Sequence, residues 1–333
     1  MAGGRIREVD CNGPGIRRKG AGRGFTYVDE RGRRVADDEV LDRIRALAIP
    51  PAWTDVWICS DPRGHIQATG VDAKGRRQYR YHDRWTEQRA AEKFDRVLDF
   101  AQRLPALREQ VRSDLRRTGM PRERVLAAAV RLLEVGCFRV GGAAYAAENG
   151  SFGLATIRKD HVRVSGKAIW FDFDAKSGQH LRRAVVDPQV LDVVRTLRRR
   201  RSGPEDELLA YRRDDGTWAD VTADDINAYL KERLGEDFSA KDFRTWVGTV
   251  LTAVALADRE RPNGERARQK QVREAIGEVA EHLGNTPAVA RSAYVDPRVI
   301  DRYEDDATIA RALQTDDLEA IERAVRRLIG RAS

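Results

Sequence analysis

The 333-residue chain is short of the residues that define several protein classes. Three cysteines, Cys11, Cys59 and Cys137, stand far apart with neither metal nor redox spacing, which excludes a disulfide framework. They read as small buried or partly buried thiols. The five histidines, His65, His82, His161, His180 and His282, form no HExxH or HxH pair with carboxylates at ligand spacing, so neither a metal centre nor another cofactor is expected. No run approaches the ~18–20 apolar residues of a membrane span. The opening MAGGRIREVDCNGPG lacks the apolar stretch of a signal peptide, and the expected location is the cytoplasm. Internal repeats and low-complexity tracts are absent.

What the chain does have is positive charge. It carries 61 basic against 53 acidic residues, a net charge of +8. Most of the basic residues are arginines, whose planar fork pairs with phosphate oxygens in a bidentate way. A polyanionic partner fits this balance, although arginine richness can also follow from genome composition.

The organisation is that of an α+β protein in two parts. Residues 1–23 are rich in Gly and Arg without apolar period, and read as a mobile segment. Residues 24–86 read as a small antiparallel β-sheet domain. Short runs (FTYV, DVWICS, HIQATG, RQYRYH) are punctuated by Asp61-Pro62-Arg63-Gly64 and Asp72-Ala73-Lys74-Gly75, and one helix over 37–47 ends before Pro50-Pro51. Residues 87–333 read as a larger, mainly α-helical domain, with the boundary at the composition break of 86–92. Within it, Val125, Ala129, Leu132 and Leu133 line one helix face with Gly136 as C-cap, and Thr222 and Ser239 cap the starts of two further helices. A long helix ends at Gly284, and Thr286-Pro287 opens another. A three-stranded β-island over 162–164, 168–173 and 181–186 carries Lys176 on an exposed hairpin turn.

Several residues have local contexts suited to attack on a phosphodiester. That chemistry needs a nucleophile, cationic or N–H donors for the charged transition state, and an acid for the leaving oxygen. Arg139, in CFRVGG, precedes Gly141 and Gly142, which would let a phosphate approach closely. Arg244, in KDFRTW, lies in the first turns of a helix, where amides and dipole favour an anion. Lys176 has a flexible stem and, when desolvated, can serve as an acid. Asn285 can donate an amide proton, and Tyr294, nine residues on, can serve as a nucleophile. Each residue taken alone also has an ordinary reading: a surface arginine in an ion pair, a hairpin lysine, a turn asparagine, a core tyrosine.

Taken in order, FRVGGAAY, SFGLATIR, the DAKSG hairpin, KDFRTW and GNTPAVARSAY resemble the type IB DNA topoisomerases of the small poxvirus-like and bacterial kind. IPPAWTDVWIC and GHIQATGVDAKGRRQYRYH extend the resemblance into the N-terminal part, so that it covers roughly 24–310. The resemblance implies the catalytic fold shared by tyrosine recombinases and these topoisomerases. It implies that Tyr294 attacks DNA to form a 3′-phosphotyrosyl link, that supercoils relax by swivelling, and that the strand reseals without ATP or metal. Arg139 and Arg244 would hold the non-bridging oxygens and Lys176 would protonate the 5′-oxygen. Asn285 stands where many members have histidine, and its amide can make the same neutral donation.

By the same resemblance the GRRQYRY strand enters the major groove, with Gln78, Tyr79 and Tyr81 near base edges and Lys74, Arg76 and Arg77 on the backbone. Tyr145 and Lys241 would add further DNA contacts. The implied partner is double-stranded DNA, held by a monomeric two-domain clamp that acts at the nucleoid.

Two other readings share some of these features. Tyrosine recombinases use the same nucleophile, but typically carry His-x-x-Arg where this chain has Lys241-Asp-Phe-Arg244, and begin with a helical DNA-binding domain. A DNA-binding clamp without catalysis would not need Arg139, Lys176, Arg244, Asn285 and Tyr294 together.

Overall fold

A computed structural model describes residues 5–22, 24–201, 207–260 and 262–330, which divide into two compact units between Phe94 and Asp95. The first unit is built on an antiparallel sheet of β1 (Ile16–Ala21), β2 (Gly24–Val28), β3 (Thr54–Ile58), β4 (Ile66–Val71) and β5 (Arg77–Tyr81), ordered β2-β1-β3-β4-β5. The register sets Ile16 opposite Ile58 and Ile58 opposite Ala68, so these residues share a face. Helix α1 (Asp38–Ala46) buries Ile44 against that face. The Asp37 carboxylate caps it by accepting from the backbone N–H groups of Glu39 and Val40.

The other face corrects the expectation of a mobile segment over 1–23. It carries Trp57, Cys59 and Ile66, and Val9 and Cys11 pack on them. Trp57 Nε1 donates to the Gly13 carbonyl at 3.1 Å, and a Cβ on Gly15 would lie 2.2 Å from that same nitrogen. Residues 7–15 thus form a strap that leads into β1, a full member of the sheet. The strap docks largely through glycine backbone, which leaves no apolar period to read. Residues 1–4 and 23 of the expected mobile segment lie outside the described residues.

The expected boundary at 86–92 falls inside one continuous helix, α2 (Asp83–Leu115). Its first turns are mostly exposed, whereas Phe94, Val97, Phe100, Ala101 and Leu104 are buried. The composition break therefore marks where the helix begins, and the change of core comes later, near Phe94.

In the second unit α3 (Arg122–Gly136) is the central helix. Val125 through Val130, Leu132 and Leu133 are all buried, so α3 is covered all round rather than on one stripe. Its end also differs from expectation. Cys137, not Gly136, takes the left-handed conformation (φ 51°), and Gly136 is required because a Cβ there would lie 2.2 Å from the Phe138 ring. Short helix α4 (Ala143–Asn149) follows.

The β-island is observed as β6 (Val162–Ser165), β7 (Ala168–Ala175) and β8 (Gln179–Val185), ordered β6-β7-β8. Ile169, Phe171, Phe173 and Ala175 face inward and are buried. Helix α5 (Pro188–Arg198) and a small hairpin of β9 (Ala210–Arg212) and β10 (Trp218–Asp220), which has no counterpart in the sequence reading, come next.

Helices α6 (Ala223–Leu234), α7 (Ala240–Ala257), α8 (Glu265–Leu283), α9 (Pro287–Tyr294), α10 (Pro297–Glu304) and α11 (Leu318–Ile329) complete the unit. The expected caps are in place. Thr222 and Asp225 form a reciprocal box, with the Asp225 N–H donating to Thr222 Oγ1 at 3.1 Å and the Thr222 N–H donating to Asp225 Oδ2 at 3.0 Å. Helices α5, α6 and α7 pack around α3. Among the described residues no helix is long and apolar enough to cross a membrane.

Candidate active site

Four segments of the second unit converge on one cleft of about 300 Å³, lined by Arg139, Tyr145, Lys176, Lys241, Arg244 and Tyr294 among others. Each segment is held by contacts that the local sequence dictates.

Arg139 follows the left-handed turn at Cys137 and is fixed by its own backbone, whose carbonyl accepts from the Leu154 N–H at 2.8 Å. Gly141 (φ 78°) allows a close backbone approach, since a Cβ there would lie 2.7 Å from Gly153 Cα. Gly141 thus serves backbone packing, not the phosphate approach expected from the sequence. Only Gly142, with open space around its Cα, leaves room for a ligand.

Arg244 lies near the start of α7, where the Ser239 N–H and Oγ donate to Asp242 at 2.8 and 3.1 Å. Arg244 is 3% exposed and pairs with no carboxylate among the described residues. One guanidinium nitrogen donates to the Cys137 carbonyl, the other to the Leu283 carbonyl at 2.6 Å, and Nε is buried without a partner among the described residues. The group sits 5.0 Å from the centroid of the Tyr294 ring.

Helix α8 ends at left-handed Gly284 (φ 58°), and the Asn285 N–H turns back to the Ala280 carbonyl at 2.8 Å. Asn285 Oδ1 accepts from Arg139 at 2.5 Å, and the Gly284 carbonyl accepts from the same nitrogen at 2.9 Å. That leaves Asn285 Nδ2 buried with no partner among the described residues, a donor without an acceptor.

Thr286 and Pro287 then open α9, whose last residue is Tyr294. The tyrosine backbone lies directly on α7, because a Cβ on Gly248 would fall 2.5 Å from the Tyr294 carbonyl oxygen. Thr249 fixes the chain just beyond: its Oγ1 donates to the Thr245 carbonyl at 2.8 Å and accepts from the Asp296 N–H at 3.1 Å. Lys176 occupies the turn between β7 and β8, with Nζ 5.7 Å from the centroid of Tyr145, a ring 41% exposed.

The electrostatics of this site are those of an anion trap. Burial, and then the repulsion of Arg244, lower the Arg139 pKa below the usual arginine value, while Tyr294 and Tyr145 act in the opposite direction. Burial likewise lowers Arg183, with Arg244 adding to it. His282 is held below its ordinary value by burial and by Arg183 and Arg244, which favours the neutral ring. Arg244 is buried and Arg139 and Arg183 half-buried, all three bonded mainly to carbonyls, and an incoming phosphate would supply the counter-charge. Among the described residues no group of three or more His, Cys, Asp and Glu could hold a metal ion.

The residues singled out in the first unit are arranged differently from expectation. Tyr79 and Tyr81 are stacked, 6.0 Å between centroids, and each is 43% exposed. Arg77 shares their face and reaches Asn12 Oδ1 at 3.3 Å, a strap contact. Gln78 is on the opposite face by strand alternation and donates to Asp72 Oδ2 at 2.9 Å, and Arg76 pairs with the same carboxylate at 2.7 Å. Those two side chains are engaged in the turn that also carries Lys74. Hydrogen bonds from Arg76 hold Asp72 down to a pKa of about 2.

Sequence reasoning passed over Arg183, Gly248 and Thr249. Arg183 carries a readable signal, a charged residue at an inward position of a strand, whereas Gly248 and Thr249 read as ordinary helix residues.

The chain matches two family models, over residues 24–72 the N-terminal domain of bacterial DNA topoisomerase IB and over 82–319 the catalytic core of eukaryotic DNA topoisomerase I. It is also 31% identical over 299 residues to the DNA topoisomerase 1B of Acanthamoeba polyphaga mimivirus, with 88% of each chain covered. The first match ends just after β4 and the second begins just before α2, so both parts of the chain are represented, and with the relative at this identity the protein belongs to the type IB DNA topoisomerases.

Proposed function

We propose that this topoisomerase relaxes supercoiled duplex DNA with Tyr294 as nucleophile. Tyr294 Oη bonds to the phosphorus of one strand as the bond to the 5′-oxygen breaks, the phenolic proton passes to solvent, and Lys176 Nζ gives a proton to the departing oxygen. The 3′-phosphotyrosyl link keeps the energy of the broken bond, so the strand rotates and reseals when the 5′-hydroxyl attacks back, without ATP or a metal ion. Arg139, Arg244 and the unpartnered Asn285 amide hold the non-bridging oxygens, whose charge grows in the transition state. Lys241 and Tyr145 contact the flanking backbone. Tyr79 and Tyr81 pack against bases, with Lys74 and Arg77 on the phosphates; Gln78 and Arg76 take part once released from Asp72.

The enzyme acts as a monomer in the cytoplasm, at the nucleoid. The convergence of Tyr294 with four cationic side chains, Arg139, Lys176, Lys241 and Arg244, on one cleft is the observation that carries this reading.

The test is trapping of a covalent protein–DNA adduct by denaturant during plasmid relaxation. The parent protein should give the adduct, and Tyr294→Phe should give neither adduct nor relaxation while still binding duplex. Both should persist for the parent protein in excess EDTA. An adduct formed by the Phe variant would move the nucleophile elsewhere, and complete, reversible loss on chelation would overturn metal-free chemistry.

A further inference from the structure

Helices α3 and α8 end side by side behind the cleft, and each helix end presents carbonyls with no helical partner and the negative end of a dipole. Brought together, these ends repel unless cations lie between them. Three arginines do so. Arg244 joins the Cys137 and Leu283 carbonyls, Arg139 takes that of Gly284, and Arg183 joins those of Gly136 and His282. Arg139 and Arg244 line the cleft; Arg183 does not.

Arg183 comes from β8, the strand that leaves the Lys176 turn. Its register partner is Phe171, a buried residue of the inward face, so its guanidinium points under the sheet toward the two helix ends. Gln179, at the start of β8, reaches the same helix end: a Cβ on Gly284 would lie 3.4 Å from its Oε1, which is buried without a partner among the described residues. The β7–β8 hairpin therefore meets the His282–Asn285 turn at two points, and of the two only Arg183 bonds to it among the described residues.

Resting on the reading of Lys176 as the acid, we infer that Arg183 is a positioning residue for the reaction. By clamping β8 to the ends of α3 and α8, it sets where the Lys176 turn stands relative to Asn285 and Tyr294. The fork geometry is what the task requires, because one guanidinium spans two carbonyls and a single ammonium cannot hold both in fixed directions. Without the clamp the hairpin keeps its strand pairing but loses its register on the helix ends. The acid then moves away from the leaving oxygen, while the arginines on the non-bridging oxygens keep their own carbonyl contacts.

The test is single-turnover cleavage of two duplexes, one with an ordinary scissile phosphate and one with sulfur as the bridging 5′ atom. Sulfur leaves as a thiolate and needs little protonation, so it hides a displaced acid but not a displaced nucleophile or a loosened fold. Arg183→Ala should slow cleavage of the ordinary duplex by roughly 10- to 100-fold, as expected of a catalytic group misplaced by about 1 Å. Most of that loss should be recovered on the sulfur duplex, with duplex binding unchanged. Arg183→Lys should show a smaller loss, recovered in the same way, and it decides the matter alone should the Ala variant fail to fold. An equal loss on both duplexes, or none on either, overturns the inference. Lys176→Ala is the control that separates the two readings. If sulfur rescues it and not the Arg183 variants, only the role of Arg183 falls; if sulfur does not rescue it, the acid reading falls and this inference with it.

Discussion

Gly248→Ala probes how tightly the nucleophile is seated. Gly248 lies one turn beyond Arg244 on α7, and its Cβ would stand 2.5 Å from the Tyr294 carbonyl oxygen and 3.2 Å from Tyr294 Cβ. An unstrained carbon–oxygen contact is about 3.3 Å, so the tyrosine backbone must retreat by about 0.8 Å. The neighbouring Thr249–Asp296 hydrogen bond resists that retreat, because it fixes the chain two residues later. Alanine itself favours the helix by up to about 1 kcal/mol over glycine, so the fold should survive with a near-parental unfolding midpoint.

Displacement on this scale should slow covalent-adduct formation by ~10- to 100-fold. That is about 1.4 to 2.7 kcal/mol of barrier. The assay is single-turnover adduct formation on a duplex that cannot religate, with duplex binding and thermal unfolding measured on the same preparation. Sulfur at the bridging 5′ position should not restore the rate, because the fault lies with the attacking oxygen. Cleavage within about two-fold of the parent, when ~1 Å should cost far more, would refute the idea that close seating on α7 aligns Tyr294.

Asn285→Ala removes both the acceptor of Arg139 and a buried amide donor, and should lower the cleavage rate by ~10²- to 10³-fold, the usual effect of losing one donor to a developing anion. Asn285→His, which keeps a neutral N–H donor, should retain most of the rate; equal losses in the two variants would show that the donor is not what matters. A pH effect is expected on the outer face of the β-island. There His180 is held between Asp174 at 2.8 Å and Asp172 at 2.7 Å, and hydrogen bonding to Asp174 first, then to Asp172, raises its pKa above 6.5. Because the folded value is the higher one, this contact contributes fully below pH ~6.5 and is lost as pH rises through the raised value. NMR titration of the His180 ring should show a midpoint above 6.5 that falls in Asp174→Asn, and a midpoint at or below 6.5 in the parent would remove the clip.

Local spacing along the chain placed most helix starts and the residue types of the site, but not the end of α3 or the course of α2. Caps act through neighbours in the chain, so Thr222, Ser239 and Thr286 could be placed from local spacing alone, and the same holds for the turn that carries Lys176. The family resemblance of the motifs taken in order marked Arg139, Lys176, Arg244, Asn285 and Tyr294 as a set, since each motif is a short contiguous stretch. Gly284, which had to end α8, needed only its own left-handed conformation to be read. Alternation along β5 separates Gln78 from Tyr79 and Tyr81, which the motif groups near base edges, and the capture of Gln78 and Arg76 by Asp72 had no local signal.

Contacts between surfaces distant in sequence settled the rest. The strap over Trp57 is held by the Gly13 carbonyl and the bare Cα of Gly15, features that leave no apolar signature. That Arg139 and Arg244 bind carbonyls rather than carboxylates depends on two helix ends meeting behind the cleft, and no spacing along the chain encodes that meeting. Arg183 shows in the sequence only as a charge at an inward strand position, and that it bridges two helix ends is visible only once β8 is laid against them. The glycine that seats Tyr294 is visible only when α9 rests on α7, since what it supplies is the absence of an atom.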